Sequence, residues 1–162
     1  MSGTNTNDTL SVSRVIKASP QTIYRALLDP TAVATWRAPE GMKARIEMFE
    51  PRVGGAFRIA LEYVSSVHAL PGKTTAHSDL ARGRFRELVQ DRRVVEEIEF
   101  ESRDPTMAGT MVLTTTLAPV AEGTEITIAC QNAPTGIDPR DHEIGMRSTL
   151  ENLAAFVAQE RK

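Results

Sequence analysis

The fold is decided by the stretch of residues 137–162, which reads IDPRDHEIGMRSTLENLAAFVAQERK. Asp138 can cap a helix, and Pro139 suits the first helical turn, where no backbone N–H is needed. Beyond this start, apolar residues recur at spacings of three and four, namely Met146, Leu150, Leu153, Ala154 and Val157. This spacing predicts a helix of about six turns with one apolar face. Because most of the remaining chain reads as strand, that face needs a sheet to cover it.

The residues before this helix predict one strand, two short helices and six more strands. Ser19-Pro20 and Asp29-Pro30 each pair a capping residue with a proline at the first helical position. Alternating apolar residues place the strands at 10–17, 44–48, 57–63, 83–89, 94–101, 110–117 and 124–131. Residues 64–81 are irregular and long for a hairpin connection. The other connections are short, so we expect an α+β fold in which a curved antiparallel sheet wraps around the final helix.

Length and composition bound the class of protein. The chain has 162 residues, 41% hydrophobic and 25% charged, which suits one globular domain. We expect a disordered tail over residues 1–9 and a single domain over 10–162. A formal net charge of −2 gives no general case for nucleic-acid binding, and no apolar run predicts membrane insertion. The single cysteine, Cys130, lies in an apolar strand pattern, so we expect a buried thiol and a cytoplasmic location.

Three polar residues fall in phase with the apolar face of the predicted sheet: Glu87, Glu96 and Thr115. A buried carboxylate needs a partner, and Arg14, in phase on the first strand, would form a structural pair with one of the glutamates. Alternatively, the glutamates orient a ligand or act as a general acid–base. A β-bulge that turns them outward is the third interpretation.

Trp36 and the histidines are the remaining candidates for chemistry. Trp36, the only tryptophan, follows the short helices and either lines an opening or packs on the core as a lid. His68 and His77 share the irregular segment with Asp79, but no further histidine or cysteine nearby completes a zinc set. The sequence therefore predicts no metal site and no cofactor.

A succession of short motifs resembles a known superfamily. The motifs are VSRVIKASP at 12–20, WRAPEG at 36–41, VGGAFR at 53–58, GRFREL at 83–88, EGTE at 122–125 and GMRSTLENL at 145–153. In this order they resemble the START and birch-pollen-allergen superfamily (SRPBCC), and within it the branch homologous to the activator of heat-shock-protein ATPase. The resemblance implies the helix-grip fold, with two short helices after the first strand.

The resemblance also implies a function. It favours a non-catalytic carrier or sensor that binds a hydrophobic or amphipathic small molecule, such as a lipid, between the sheet and the C-terminal helix. The residues expected to line this space are Trp36, Phe57, Tyr63, Phe85, Phe100, Met111, Met146 and Leu150, with the loop around His77 and Asp79 as a gate.

Two other functions occur in the superfamily. One is a polyketide-cyclase-like or hydrolase-like enzyme, which here would use Glu87, Glu96 or His77 as acid–base. The other is a co-chaperone module that activates a heat-shock ATPase. A homodimer is compatible with any of the three functions.

Overall fold

The protein, seen in a computed structural model that describes residues 9–38, 42–63 and 78–160, has a seven-stranded antiparallel sheet and three helices. The strands are β1 (Thr9–Ile16), β2 (Met42–Phe49), β3 (Ala56–Tyr63), β4 (Ser78–Val89), β5 (Arg93–Phe100), β6 (Met111–Val120) and β7 (Gly123–Gln131). The helices are α1 (Pro20–Leu27), α2 (Pro30–Trp36) and α3 (Pro139–Glu160), with a short 3-10 turn at Pro105–Met107. The strand order β1-β7-β6-β5-β4-β3-β2 forms a curled half-barrel, which confirms the helix-grip fold.

The predicted helix starts are confirmed. The side chains of Ser19 and Asp29 each accept a hydrogen bond from a backbone N–H in the first turn of α1 and α2. Asp138 accepts the N–H of Arg140 at 2.8 Å before α3. Each cap satisfies an N–H that has no partner within its helix, so the helices begin where the sequence places them.

The apolar face of α3 lies against the core as predicted. Met146, Leu150, Leu153 and Val157 are buried, and the helix passes beside β1, α1 and α2. Asn152, which is not one of the apolar residues of this face, is also half-buried. Its Nδ2 donates to the carbonyl oxygen of Ala38 at 2.6 Å and so ties α3 to the chain that follows α2.

Strand β4 begins earlier than the alternation indicates. It starts at Ser78, within the segment predicted to be irregular, while residues 64–77 lie outside the described chain. Residues 78–82 pair with β3 from Glu62 back to Arg58. A cross-strand partner, which a local pattern does not reveal, supplies the backbone hydrogen bonds that extend this strand.

Three phenylalanines fill the concave face of the sheet across β2, β3 and β4. The ring centroids of Phe49 and Phe85 are 5.4 Å apart in an edge-to-face arrangement, and those of Phe57 and Phe85 are 5.2 Å apart. These separations are typical of favourable aromatic pairs. Gly83, beside Phe57 in the ladder, leaves the space that the Phe57 ring occupies.

Replacing Gly83 with alanine is expected to lower the free energy of unfolding by about 2 kcal/mol, since the added methyl group overpacks the core. The new Cβ would lie 2.6 Å from Cζ of Phe57 and would also meet the carbonyl oxygen of Glu97. Urea unfolding followed by circular dichroism measures the loss. The control is Gly145→Ala in α3, where a Cβ meets nothing within 4 Å and helix propensity improves. Equal or greater stability of Gly83→Ala would contradict this packing.

Candidate functional site

Glu96 places a carboxylate on the concave, mostly apolar face of the sheet. In the strand register it lies opposite Phe85 of β4 and Leu113 of β6. Its neighbours on the same face of β5, Val94 and Ile98, are buried. Glu96 itself is only 5% exposed, so its charge needs a partner nearby.

The partner of Glu96 is Arg37, the residue that ends α2. Nη1 of Arg37 donates to Oε2 of Glu96 at 3.2 Å, and Nη2 donates to Oε1 at 3.1 Å. This two-point arrangement is the geometry that a guanidinium and a carboxylate favour. The two side chains are 18% and 7% exposed, which makes this the most deeply buried of the ion pairs in the described chain. It links the end of α2 to the middle of the sheet.

Arg14 does not take the role that the sequence suggests. It lies opposite Ile126 in the β1–β7 ladder, in phase with the inner face, but its side chain is exposed. The expected pairing of Arg14 with a buried glutamate is therefore wrong, because Glu96 pairs with Arg37. Arg37 was missed because it follows a short helix, where no strand alternation assigns its side chain to a face.

Glu87 and Glu96 do not lie on the same side of the sheet. The register between β4 and β5 shifts between Phe85 and Glu87, which marks a bulge. Beyond this bulge Glu87 is exposed, and it accepts a hydrogen bond from Nε of Arg93 at 2.6 Å. The bulge interpretation is therefore confirmed for Glu87 and wrong for Glu96. Thr115, the third polar residue in phase, is buried on β6.

Trp36 packs in the core. It is 3% exposed, and its indole N–H donates to the carbonyl oxygen of Ala26 at 2.9 Å. Its ring centroid is 5.8 Å from the guanidinium carbon of Arg37, within cation–π range. Trp36 therefore joins α1 to α2 and supports the arginine that binds Glu96.

The other residues predicted to line the ligand-binding space differ in how far they are buried. Those fully covered are Phe57, Phe85, Met111, Met146 and Leu150, whereas Phe100 is half-buried. Tyr63 and Asp79 lie in β3 and β4 by their backbone, but their side chains are outside the described part, as is all of His77. The ligand-binding role of all these residues stays a prediction.

Apolar side chains are incompletely covered at one end of the concave face. Met42, Leu61 and Phe100 lie where β2 begins and where β3 and β5 finish, and each is half-buried against the core. Leu113, which faces Glu96 from β6, is also half-buried. This end of the core thus offers apolar contact surface beside the buried ion pair.

The convex face of the sheet carries ion pairs that are partly exposed to solvent. Arg58 donates to both carboxylate oxygens of Glu101, at 2.8 and 3.0 Å, and also to Glu47. The hydrogen bond from Arg58 lowers the pKa of Glu101, and the bond from Arg45 likewise lowers the pKa of Glu47. These charges remain close to solvent, and the pairs cross the outer surface of the sheet.

Two open surface clefts lie away from the predicted lining. One, of about 640 Å³, is bordered by Tyr24, Leu28 and Asp91. The other, of about 590 Å³, is bordered by Lys17 and Glu122.

Within the described ranges, no group of three or more histidine, cysteine, aspartate or glutamate side chains is arranged to hold a metal ion.

The free thiol of Cys130 is buried, as predicted, and burial raises its pKa to about 12. A protonated thiol in such surroundings is a poor nucleophile.

Of the helices in the described chain, none is both long and apolar enough to cross a membrane.

A comparison with family models identifies the protein family of this chain. A model described as "Activator of Hsp90 ATPase homolog 1-like protein" matches residues 17–158. The chain belongs to this family. As an AHSA1-like protein it also belongs to the SRPBCC superfamily, so the resemblance seen in the motifs is confirmed. The comparison with curated proteins found no match.

Solved structures agree with this AHSA1-like assignment. A protein from Chromobacterium violaceum is 32% identical, covers 93% of this chain and 97% of its own, and superposes with a TM-score of 0.82. A Rhodobacter sphaeroides protein is 20% identical, with 94% and 93% covered and a TM-score of 0.76. An AHSA1-like protein from Aeromonas hydrophila is 17% identical, with 94% and 90% covered and a TM-score of 0.69. The similarity to the last two structures shows only that the fold is shared.

Proposed function

We propose that this AHSA1-like protein binds a hydrophobic or amphipathic small molecule between the concave face of the sheet and α3. The observation that carries the proposal is the partly covered apolar surface toward one end of the core, to which Met42, Leu61, Phe100 and Leu113 contribute. Ligand sites are commonly apolar concave surfaces with a few polar groups that orient the ligand. Here the polar groups are those of Arg37 and Glu96.

A neutral fluorescent probe tests this proposal. N-phenyl-1-naphthylamine is expected to bind the protein with enhanced emission, and Leu113→Gln is expected to weaken its affinity about tenfold, since part of a leucine contact is lost. The matched control is Val112→Gln, because Val112 is half-buried on the opposite face of the same strand. Probe binding that is absent, or equally weakened by both variants, would reject a site on the concave face.

The geometry favours binding over proton transfer. Both carboxylate oxygens of Glu96 already accept hydrogen bonds from Arg37, and Glu87 lies on the other side of the sheet. An acid–base pair of these two glutamates would need both on one face, within reach of the same substrate. A carrier or sensor role therefore accords better with the described residues than hydrolysis or cyclisation.

Activation of a heat-shock ATPase is the second candidate, and the family match over residues 17–158 is what favours it. Its test is the ATPase rate of Hsp90 with and without the purified protein. A rise in that rate would support the activity named in the family description. An unchanged rate would leave ligand binding as the function.

A further inference from the structure

The ion pair of Arg37 and Glu96 adds no net charge to the concave face. The guanidinium and the carboxylate meet at two hydrogen bonds of 3.1 and 3.2 Å, and their side chains are 18% and 7% exposed. The residues beside Glu96 on this face, Phe85, Val94 and Leu113, are apolar. A ligand that reached the pair would meet a strong local dipole in surroundings with little water.

The hydrogen bonds that described residues make with the pair leave it capacity for more. A guanidinium has five N–H donors and a carboxylate has about four acceptor positions. The contact between Arg37 and Glu96 uses two of each. A hydroxyl, carbonyl or amide group of a ligand can therefore accept from Arg37, donate to Glu96, or do both.

A charged ligand group is less suitable. A carboxylate drawn to Arg37 would also lie near the carboxylate of Glu96, and an ammonium drawn to Glu96 would lie near the guanidinium. Either ion would lose its hydration, but the opposite charge that it meets in the pair is already neutralised by the other member. Desolvation of an ion costs several kcal/mol, which a charge that is already neutralised does not repay.

We propose that the Arg37–Glu96 pair selects amphipathic molecules whose polar group is uncharged, such as an alcohol, ketone, phenol or amide, over carboxylates and amines. This inference rests on the proposed function, because it specifies the ligand class of the same site. The apolar part of such a molecule would contact the side chains of Met42, Leu61 and Phe100, which are partly buried toward one end of the same face.

Three probes with the same ten-carbon chain test this selection: decanol, decanoate and decylamine. Each is titrated against the protein with bound N-phenyl-1-naphthylamine at neutral pH, decanol below its solubility limit and the two ions below their micellar concentrations. Wild-type protein is expected to bind decanol about tenfold more tightly than decanoate or decylamine. In Glu96→Gln the guanidinium loses its countercharge, and decanoate is expected to bind about tenfold more tightly than to wild type, because no neighbouring carboxylate neutralises the charge of Arg37.

Two further variants complete the experiment. Glu99→Gln removes a carboxylate from the opposite face of the same strand, where Glu99 pairs with exposed Arg82, and it should leave the preference for decanol unchanged. The double variant Arg37→Met/Glu96→Leu removes both charges. It provides a folded comparison should Glu96→Gln not fold, and decanol should bind it about tenfold more weakly than wild type, because its hydroxyl loses both hydrogen-bond partners.

The outcomes separate this inference from the proposed function. If the fluorescent probe binds but wild type and Glu96→Gln rank the three head groups alike, the selection is overturned and the ligand site stands. The same holds if the double variant binds decanol as tightly as wild type does. If neither the fluorescent probe nor any ten-carbon compound binds wild type, the proposed function fails, and the selection fails with it.

Discussion

Replacing Phe85 with alanine is expected to lower the free energy of unfolding by about 4 kcal/mol, the range found for large aromatic residues removed from a core. Phe85 is completely buried, and its ring contacts those of Phe49 and Phe57. The variant loses both the buried apolar area and the two aromatic pairs, and the rigid sheet around the gap relaxes only in part. Guanidinium unfolding followed by circular dichroism measures the difference.

The control for this experiment is Phe85→Leu, which retains most of the volume. It is expected to cost about 1.5 kcal/mol, so the difference between the two variants reports the cavity. A loss below 1 kcal/mol for Phe85→Ala would show that the aromatic cluster of Phe49, Phe57 and Phe85 does not form as described.

Replacing Arg37 with methionine is expected to cost about 3 kcal/mol of stability, because it leaves the Glu96 carboxylate buried without its partner. Glu96 accepts both hydrogen bonds of the pair and is 5% exposed. The estimate lies at the lower end of the range for buried pairs because the side chain of Arg37 keeps some contact with solvent. Urea unfolding at neutral pH provides the measurement.

A double-mutant cycle distinguishes loss of the pair from loss of packing. With Glu96→Leu added, both charges are gone and the stability should return to within about 1 kcal/mol of wild type. Arg82→Met is the matched surface control: Arg82 pairs with Glu99 at 3.3 Å, and both side chains are largely exposed. Its cost should stay below about 0.5 kcal/mol. If Arg37→Met cost no more than Arg82→Met, the pair would not be a buried interaction.

The elements that the sequence predicted well are those with local signals. The start of α3 depends on Asp138 and Pro139, and its apolar face on residues three and four apart, all within one stretch of chain. The short helices likewise begin at a capping residue followed by proline. Hairpin-length connections then dictate most of the antiparallel order. The start of β4 escaped prediction because it depends on pairing with β3.

The candidate site was predictable only in part. Alternation correctly placed Glu96 on the concave face, and a buried carboxylate implied that a cation must be near. The sequence could not name that cation, since Arg37 lies 59 positions away after a short helix and reaches Glu96 only through the tertiary fold. Nor could it locate the bulge between Phe85 and Glu87, because inserting one residue reverses the face of every later residue without changing the local pattern.

The pairing of β1 with β7 governs when this protein can finish folding on the ribosome. Thr9 lies opposite Gln131, and Ile16 lies opposite Thr124, so among the described strands the earliest to be synthesised, β1, pairs with the latest, β7. The hairpins from β2 to β6 can form while translation continues, but β1 must wait until β7 has left the exit tunnel. Contacts between such distant parts of a chain slow folding. The nascent protein therefore carries β1 without this partner until β7 has been synthesised, and the sheet is completed only then.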